Sequence, residues 1–395
     1  MSRTAGAASR AEHEPTRKLA ITRLLRKAPL VPRDIDAFLA GHDIPIVEGT
    51  RCTFLYRGQA EAVHLRHFIY GLPSSQPFQR VRDTDLWYFV LEVPENSRFE
   101  YKLEVFSNGN VRAVEDPLNP IKARDPFGSN SVCHGSGYEV PEWTFPDAEA
   151  RAGSLEEVRL RSRALRREAR VTLYLPARFR RTRRYPLLVV HDGGDYLQYA
   201  GLKTVLDNLI HRLDVSEMVV AMSIPGQRLA EYAASAAHAR FLTHELVPKL
   251  EAEYPLVGQP QGRCLMGASF GAVASLAAAR RSPGFYGRLL LQSGSFAFSD
   301  IGPSQRRDPL WDPVVEFVNA FRNAPMRVAE RVFVSCGTYE SLIYENRSLA
   351  PLLQATGMEV RYVEARDGHN WENWRDRLRE GLSWLLPGPL RMVYE

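Results

Sequence analysis

Two rhythms of apolar and polar residues divide the chain. From Gly49 to about Trp143 apolar positions alternate in short runs, as in T-F-L-Y-R-G (53–58), A-V-H-L-R-H-F (62–68), D-L-W-Y-F-V-L-E-V (85–93) and F-E-Y-K-L-E-V-F (99–106). Successive strand side chains point to opposite faces, so each run reads as a strand with one face buried. P-S-S-Q-P, P-E-N-S and S-N-G-N separate the runs and supply turn residues. Several short strands at this spacing predict a small β-sandwich. An irregular stretch is expected from D-P-L-N-P (Asp116–Pro120) to P-E-W (Pro141–Trp143).

Beyond about Asp147 the pattern changes. V-R-L-R-S and V-T-L-Y-L-P predict a hairpin, and then near-continuous apolar runs alternate with longer amphipathic segments. The runs are Y-P-L-L-V-V, M-V-V-A-M-S-I, R-C-L-M-G, R-L-L-L-Q-S, R-V-F-V-S-C and E-V-R-Y-V-E-A, and helices are expected over Arg240–Tyr254, Phe270–Arg281 and Ser348–Thr356. Strands that are apolar throughout, alternating with helices, predict a mostly parallel sheet covered on both faces. The polar D-A-E-A-R-A-G-S near Asp147–Ser154 is the expected boundary. The layout is thus a disordered start (residues 1–15), an N-terminal segment with the sandwich (16–146) and an α/β domain (147–395). K-L-A-I-T-R-L-L-R after Pro15 suits a short amphipathic helix.

Composition narrows the functional classes. Hydrophobic content of 45% and charged content of 25% are those of a soluble globular protein, and no apolar run is long enough to cross a membrane. The first residues lack the apolar core of a secretory signal, which points to the cytoplasm. Cys52, Cys133, Cys264 and Cys336 are too scattered for a structural zinc site or a disulfide scaffold and are expected to be reduced. A net charge of +5 without a dense basic tract argues against nucleic acid and favours a small anionic partner.

Candidate chemistry centres on L-M-G-A-S-F-G (265–271). G-x-S-x-G should arise by chance about 0.1 times in a chain this long. Here it joins the strand R-C-L-M-G to the helix from Phe270, the strand–turn–helix corner on which a nucleophilic serine sits, so Ser269 is the candidate nucleophile. The bland alternative is a close glycine contact between helix and sheet. A serine needs a base, and His369 follows the last sheet strand in D-G-H-N-W, downstream of Ser269 as a Ser…acid…His order requires. The acid should end the preceding strand, where R-V-F-V-S-C-G-T-Y-E runs into Glu340, with Glu345 as competitor. Oxyanion donors are the N–H of Phe270 and the turn at Gly193 and Gly194 in H-D-G-G-D.

These stretches resemble the enterochelin (ferric enterobactin) esterase family and its wider esterase relatives, from about residue 45 onward. T-F-L-Y-R-G, T-D-L-W, F-E-Y-K-L, D-P-L-N-P and P-E-W look like that family's immunoglobulin-like lead domain. H-D-G-G, R-L-A-E-Y, G-A-S-F-G, C-G-T-Y-E-S-L-I and G-H-N-W-E-N-W look like its α/β-hydrolase catalytic domain. The resemblance implies a serine esterase with Ser269 as nucleophile, His369 as base and Glu340 as acid. Relatives often carry Asp at the acid position, so a Ser–His pair working alone stays open. D-G-H-N-W departs from the frequent G-G-H-D-W, and Asp367 lies near enough to modulate the base. Arg228, Glu231 and Tyr232 match positions at the substrate mouth, and Trp371 could stack on an aromatic substrate. The implied substrate is a catecholate trilactone siderophore, small, anionic and aromatic, with Fe³⁺ entering only as its cargo. No cofactor or protein-bound metal is expected. An acyl- or feruloyl-carbohydrate ester is the alternative substrate, and a non-catalytic binding protein the third reading.

Overall fold

A computed structural model of the protein describes residues 19–27, 29–299 and 309–389. The expected disordered start lies outside these residues. The segment after Pro15 forms α1 (Ala20–Leu24), followed by α2 (Pro32–Ala40). Their apolar faces pack with Ile46, Leu55 and Leu86, covering the outside of a sheet.

That sheet belongs to the first β region, whose strands are β1 (Ile46–Glu48), β2 (Arg51–Arg57), β3 (Ala62–His67), β4 (Ser75–Pro77), β5 (Gln79–Arg80), β6 (Leu86–Glu92), β7 (Arg98–Ser107), β8 (Asn110–Val114), β9 (Lys122–Asp125) and β10 (Gly128–His134). One sheet runs β1-β2-β6-β5 and the other β4-β3-β7-β10-β9, with β8 also paired to β7. Inward residues of both sheets, among them Phe54, Trp87, Leu65, Phe99 and Leu103, share one core, which makes a sandwich.

The stretch expected to be irregular in fact contains the β9–β10 hairpin. Its strand G-S-N-S-V-C-H buries Asn130 and Ser131. Asn130 Nδ2 donates to Glu100 Oε2 at 2.8 Å, and Ser131 Oγ accepts from Asp116 N at 2.8 Å and Lys122 Nζ at 2.9 Å. Those bonds repay the desolvation of polar groups on a strand that lacks an apolar alternation.

The third sheet contains β11 (Ser154–Ser162), β12 (Arg167–Leu175), β13 (Leu187–Val190), β14 (Val219–Ile224), β15 (Arg263–Ala268), β16 (Arg288–Gln292), β17 (Arg331–Gly337) and β18 (Glu359–Ala365). Its order is β11-β12-β14-β13-β15-β16-β17-β18. The first two strands form an antiparallel hairpin, β12 pairs antiparallel to β14, and the remaining pairs are parallel.

Connecting segments form α3 (Gly193–Tyr199), α4 (Leu202–His211), α5 (Arg228–Tyr232), α6 (Ala236–Arg240), α7 (Val247–Glu253), α8 (Phe270–Arg281), α9 (Asp312–Asn323), α10 (Ile343–Ala355), α11 (Trp371–Asp376) and α12 (Leu378–Leu385). Residues of α8, α9 and α10 build the core on one face, and those of α3, α4 and α12 the core on the other. The helix expected over Arg240–Tyr254 begins earlier and contains a π turn at Phe241–Leu246 between α6 and α7. Pro248 has no N–H to give and crowds the carbonyl four residues back, which favours the wider turn.

The two β regions are fastened to each other. Tyr70 N donates to Tyr339 O at 2.9 Å, Arg98 N to Arg366 O at 2.8 Å, and Tyr138 Oη to Asp376 Oδ2 at 2.8 Å. A cavity of about 1180 Å³ lies between them.

Candidate active site

Ser269 stands between β15 and α8 with φ of 57° and ψ of −122°, a region that side chains rarely enter. Such strain persists only where the surroundings enforce it. A Cβ on Gly267 would fall 2.4 Å from the backbone of Gly271, and one on Gly271 would lie 3.1 Å from His191 Cβ. The two glycines therefore let the helix start against the strand, and the serine is pushed to the apex. Ser269 is half-buried and lines the cavity. Its Oγ lies 3.0 Å from Ser295 Oγ, a neighbour the sequence did not single out.

His369 and Glu340 meet. His369 Nδ1 is 2.7 Å from Glu340 Oε2, and both side chains line the same cavity as Ser269. A carboxylate only accepts, so Nδ1 carries the proton and Nε2 is left with a lone pair. Glu340 is buried, and its second oxygen accepts from Ser293 Oγ at 2.6 Å, Gly337 N at 2.7 Å and Asn373 Nδ2 at 3.4 Å. The edge-on ring of Trp374, 5.0 Å between centroids, supports the imidazole. Glu345 is buried in the first turn of α10, and the imidazole is turned to Glu340.

Gly193 and Gly194 do not form a free turn; they open α3 after Asp192, which takes a left-handed conformation at φ 54°. A Cβ on Gly193 would meet Met222 Cβ at 2.3 Å, so close approach to β14 requires glycine there, while Gly194 has open space. As first residues of their helices, Gly193, Gly194 and Phe270 have N–H groups without an acceptor inside the helix. His191, just before them, is fully buried with Nε2 3.0 Å from His238 Nε2. Burial pushes both imidazoles down in pKa.

The expected mouth residues separate. Arg228 lines the cavity, held by Asp192 through two hydrogen bonds of 2.8 and 2.7 Å. Burial works against its cation, and the Asp192 carboxylate outweighs that, so its pKa is raised. Glu231 and Tyr232 are absent from the cavity walls. Glu231 is consumed by a bidentate pair with Arg167, at 2.9 and 2.8 Å. Tyr232 is fully buried, and its hydroxyl accepts from Asp192 N at 3.0 Å. Both stand on α5, the short helix that begins with Arg228. Trp371 does reach the cavity, yet it is mostly buried among Tyr196, Tyr199 and Trp374, with ring centroids 4.8 to 5.9 Å away.

The sandwich supplies the opposite wall, which the sequence reading did not foresee. Phe68, Tyr70 and Phe127 bring aromatic surface to the mouth, and Phe127 at the tip of the β9–β10 hairpin is 94% exposed. Arg66, Lys102 and Arg124 bring positive charge. Asp195 also faces in; burial and then the charge of Asp192 raise its carboxyl pKa. Among the described residues no group of three or more His, Cys, Asp or Glu is placed to hold a metal ion, and no helix is long and apolar enough to cross a membrane.

A mostly parallel sheet led by an antiparallel hairpin, with a serine at the apex after β15 and a His–Glu pair beyond β17 and β18, is the arrangement of an α/β-hydrolase-type enzyme. The chain belongs to the esterase family whose model, described as "Putative esterase", matches residues 162–385, and it is a carboxylic ester hydrolase. It is 25% identical to the iron(III) enterobactin esterase of Dickeya dadantii over 351 residues, 79% of this chain and 80% of that one. Its fold is similar to the crystal structure of ferric enterobactin esterase from Salmonella typhimurium, with a TM-score of 0.69 over 85% of this chain and 93% of that one at 20% identity. A ferulic acid esterase structure is similar over 60% of this chain and 98% of its own, with a TM-score of 0.52 at 20% identity.

Proposed function

We propose that this enzyme is a serine esterase that opens the ester bonds of a ferric catecholate trilactone siderophore in the cytoplasm, so that iron is released. The observation that carries the reading is the His369–Glu340 bond of 2.7 Å in the one cavity that also holds Ser269 at its strained apex. Ser269 Oγ attacks the ester carbonyl as His369 Nε2 takes its proton. The oxygen gains negative charge and is met by the N–H groups of Phe270, Gly193 and Gly194. His369 returns the proton to the departing alkoxide, leaving an acyl-serine. Water, deprotonated by the same nitrogen, then attacks the acyl carbon and regenerates Ser269 with release of the acid. Glu340 holds the tautomer and stabilises the imidazolium.

The cavity supports the substrate. About 1180 Å³ exceeds the needs of a simple ester, and its walls combine aromatic rings with Arg66, Lys102 and Arg124. Those groups suit several anionic aromatic arms. The likeness to enterobactin esterases extends over more of the chain than that to the ferulic acid esterase. We assign the sandwich, which we read as immunoglobulin-like (16–146), to substrate recognition and the α/β-hydrolase unit (147–395) to chemistry. Cutting the lactone removes chelate pre-organisation and weakens the hold on iron.

The test compares hydrolysis of a ferric triscatecholate trilactone with that of a feruloylated sugar by wild type and Ser269→Ala. The reading expects preference for the trilactone and loss of both activities in Ser269→Ala with the fold intact. A preference for the sugar ester would replace the substrate, and full activity in Ser269→Ala would overturn the nucleophile.

A further inference from the structure

Arg98 opens β7 in the sandwich, far along the chain from the base, yet its side chain is fully buried against the loop that carries His369. Arg98 Nη1 donates to Asp367 Oδ1 and Oδ2 at 3.1 and 3.3 Å and to Asn370 Oδ1 at 3.0 Å. Nη2 donates to Glu372 Oε2, and to Glu100 Oε1 at 3.2 Å. One guanidinium thus grips three residues of D-G-H-N-W-E, on both sides of His369.

The grip passes into the backbone. Asp367 Oδ1 accepts from Gly368 N at 2.7 Å and Asn370 Nδ2 at 2.8 Å, closing a small ring around the base. Asn370 Oδ1 also accepts from Asn373 N at 2.9 Å and caps α11. The Asp367 carbonyl accepts from Tyr339 N at 3.1 Å, beside Glu340. A Cβ on Gly337 would fall 2.2 Å from that carbonyl, so the two loops are pressed together. Burial alone would expel the cation, but Asp367, Glu372 and Glu100 hold Arg98 far more basic than usual. Arg98 is fully buried and is not among the residues that line the cavity.

We propose that Arg98 is a positioning residue: the sandwich sets the His369 loop, and through it the His369–Glu340 alignment, by this one buried guanidinium. The proposal rests on the reading of His369 as the base. Its chemistry is geometric, since the planar fork serves Asp367 and Asn370 from one nitrogen and Glu372 and Glu100 from another, whereas a lysine ammonium has a single nitrogen to place.

The test uses the full chain and a short p-nitrophenyl ester. In Arg98→Lys, kcat should fall about tenfold to a hundredfold with KM within about twofold, the pattern of a displaced catalytic group. Phosphonylation of Ser269 by a fluorophosphonate should slow in proportion. The downfield Nδ1–H proton resonance assigned by its loss in His369→Ala should shift or broaden. A folded Arg98→Lys with wild-type kcat, phosphonylation rate and resonance overturns the proposal and leaves Arg98 a structural residue. Should Arg98→Lys not fold, the isosteric Asp367→Asn takes its place, with the same fall in kcat expected and an unchanged kcat overturning. His369→Ala in the same assay separates the two readings. If it is inactive while Arg98→Lys is fully active, only the positioning role falls. If it keeps wild-type activity, the base reading falls and takes the proposal with it.

Discussion

Replacing Glu340 by Gln exchanges one oxygen for an NH₂ group at nearly constant volume, and the structure dictates which oxygen. Oε1 accepts from Ser293 Oγ, Gly337 N and Asn373 Nδ2. The last two can only donate, and Ser293 already accepts from Trp374 Nε1 at 2.9 Å, so this position tolerates only an acceptor. The Gln oxygen must take it, and its NH₂ falls where Oε2 was, 2.7 Å from His369 Nδ1. Two donors then oppose each other unless the imidazole carries its proton on Nε2. In that tautomer Nε2 has no lone pair for the Ser269 proton. The expected fall in kcat is about 10⁴-fold, or about 5 kcal/mol of transition-state stabilisation, with KM nearly unchanged. Folding stability should drop by only about 1 kcal/mol, because every donor around Oε1 keeps an acceptor. Steady-state hydrolysis of a p-nitrophenyl ester, beside urea denaturation followed by circular dichroism, measures both. Glu345→Gln is the matched control and should keep near-wild-type kcat. A kcat for Glu340→Gln within about tenfold of wild type would refute the tautomer reasoning and favour a Ser–His pair working alone.

Three further outcomes follow from the geometry. Gly267→Ala should destabilise by about 3 kcal/mol or more, because its Cβ meets backbone at 2.4 Å, whereas Gly271→Ala, at 3.1 Å from His191 Cβ, should cost about 1 kcal/mol; denaturant midpoints check the ranking. Burial pushes the Asp367 carboxyl up to about 6 from 3.8 despite Arg98, so protonation favours the folded state. That contribution is fully present below about pH 4 and lost as pH rises through about 6, a swing of about 3 kcal/mol, so Asp367→Asn should lose less stability than wild type between those limits. Equal pH slopes in urea titrations of the two proteins would count against it. Phe127→Ser should leave stability within about 0.5 kcal/mol and hydrolysis of a small ester unchanged, while raising KM for a tris-aromatic ester about tenfold; parallel kinetics on the two substrates decide it.

Much of the catalytic half was legible because its determinants are local. The expected hairpin became β11 and β12 and the six apolar runs β13 to β18, and Gly267 of L-M-G-A-S-F-G is explained by its contact with Gly271 in the same corner. The placing of His369 and Glu340 followed from strand ends, and the bond between them needed coordinates. The β10 strand was missed because two of its four buried positions are the polar Asn130 and Ser131, satisfied by partners the local pattern does not show. Of R-L-A-E-Y, read as lining a substrate mouth, only Arg228 lines the cavity, since whether Glu231 meets solvent or Arg167 depends on a residue 64 positions away. Arg98, 269 positions from Asp367, leaves no local trace of its role at all.

The wall of the cavity built by Phe68, Tyr70, Arg124 and Phe127 sits on one loop and the β9–β10 hairpin, which carry none of the proposed catalytic groups. Phe127 in particular contributes almost nothing to a core. Side chains there can be exchanged without disturbing the serine corner or the His369–Glu340 bond. On the reading proposed above, the groups that do the chemistry and much of the wall that would meet the substrate lie on separate pieces of chain. A lineage could therefore drift from one ester to another through surface replacements that leave folding untouched, provided the residue at position 98 stays as it is.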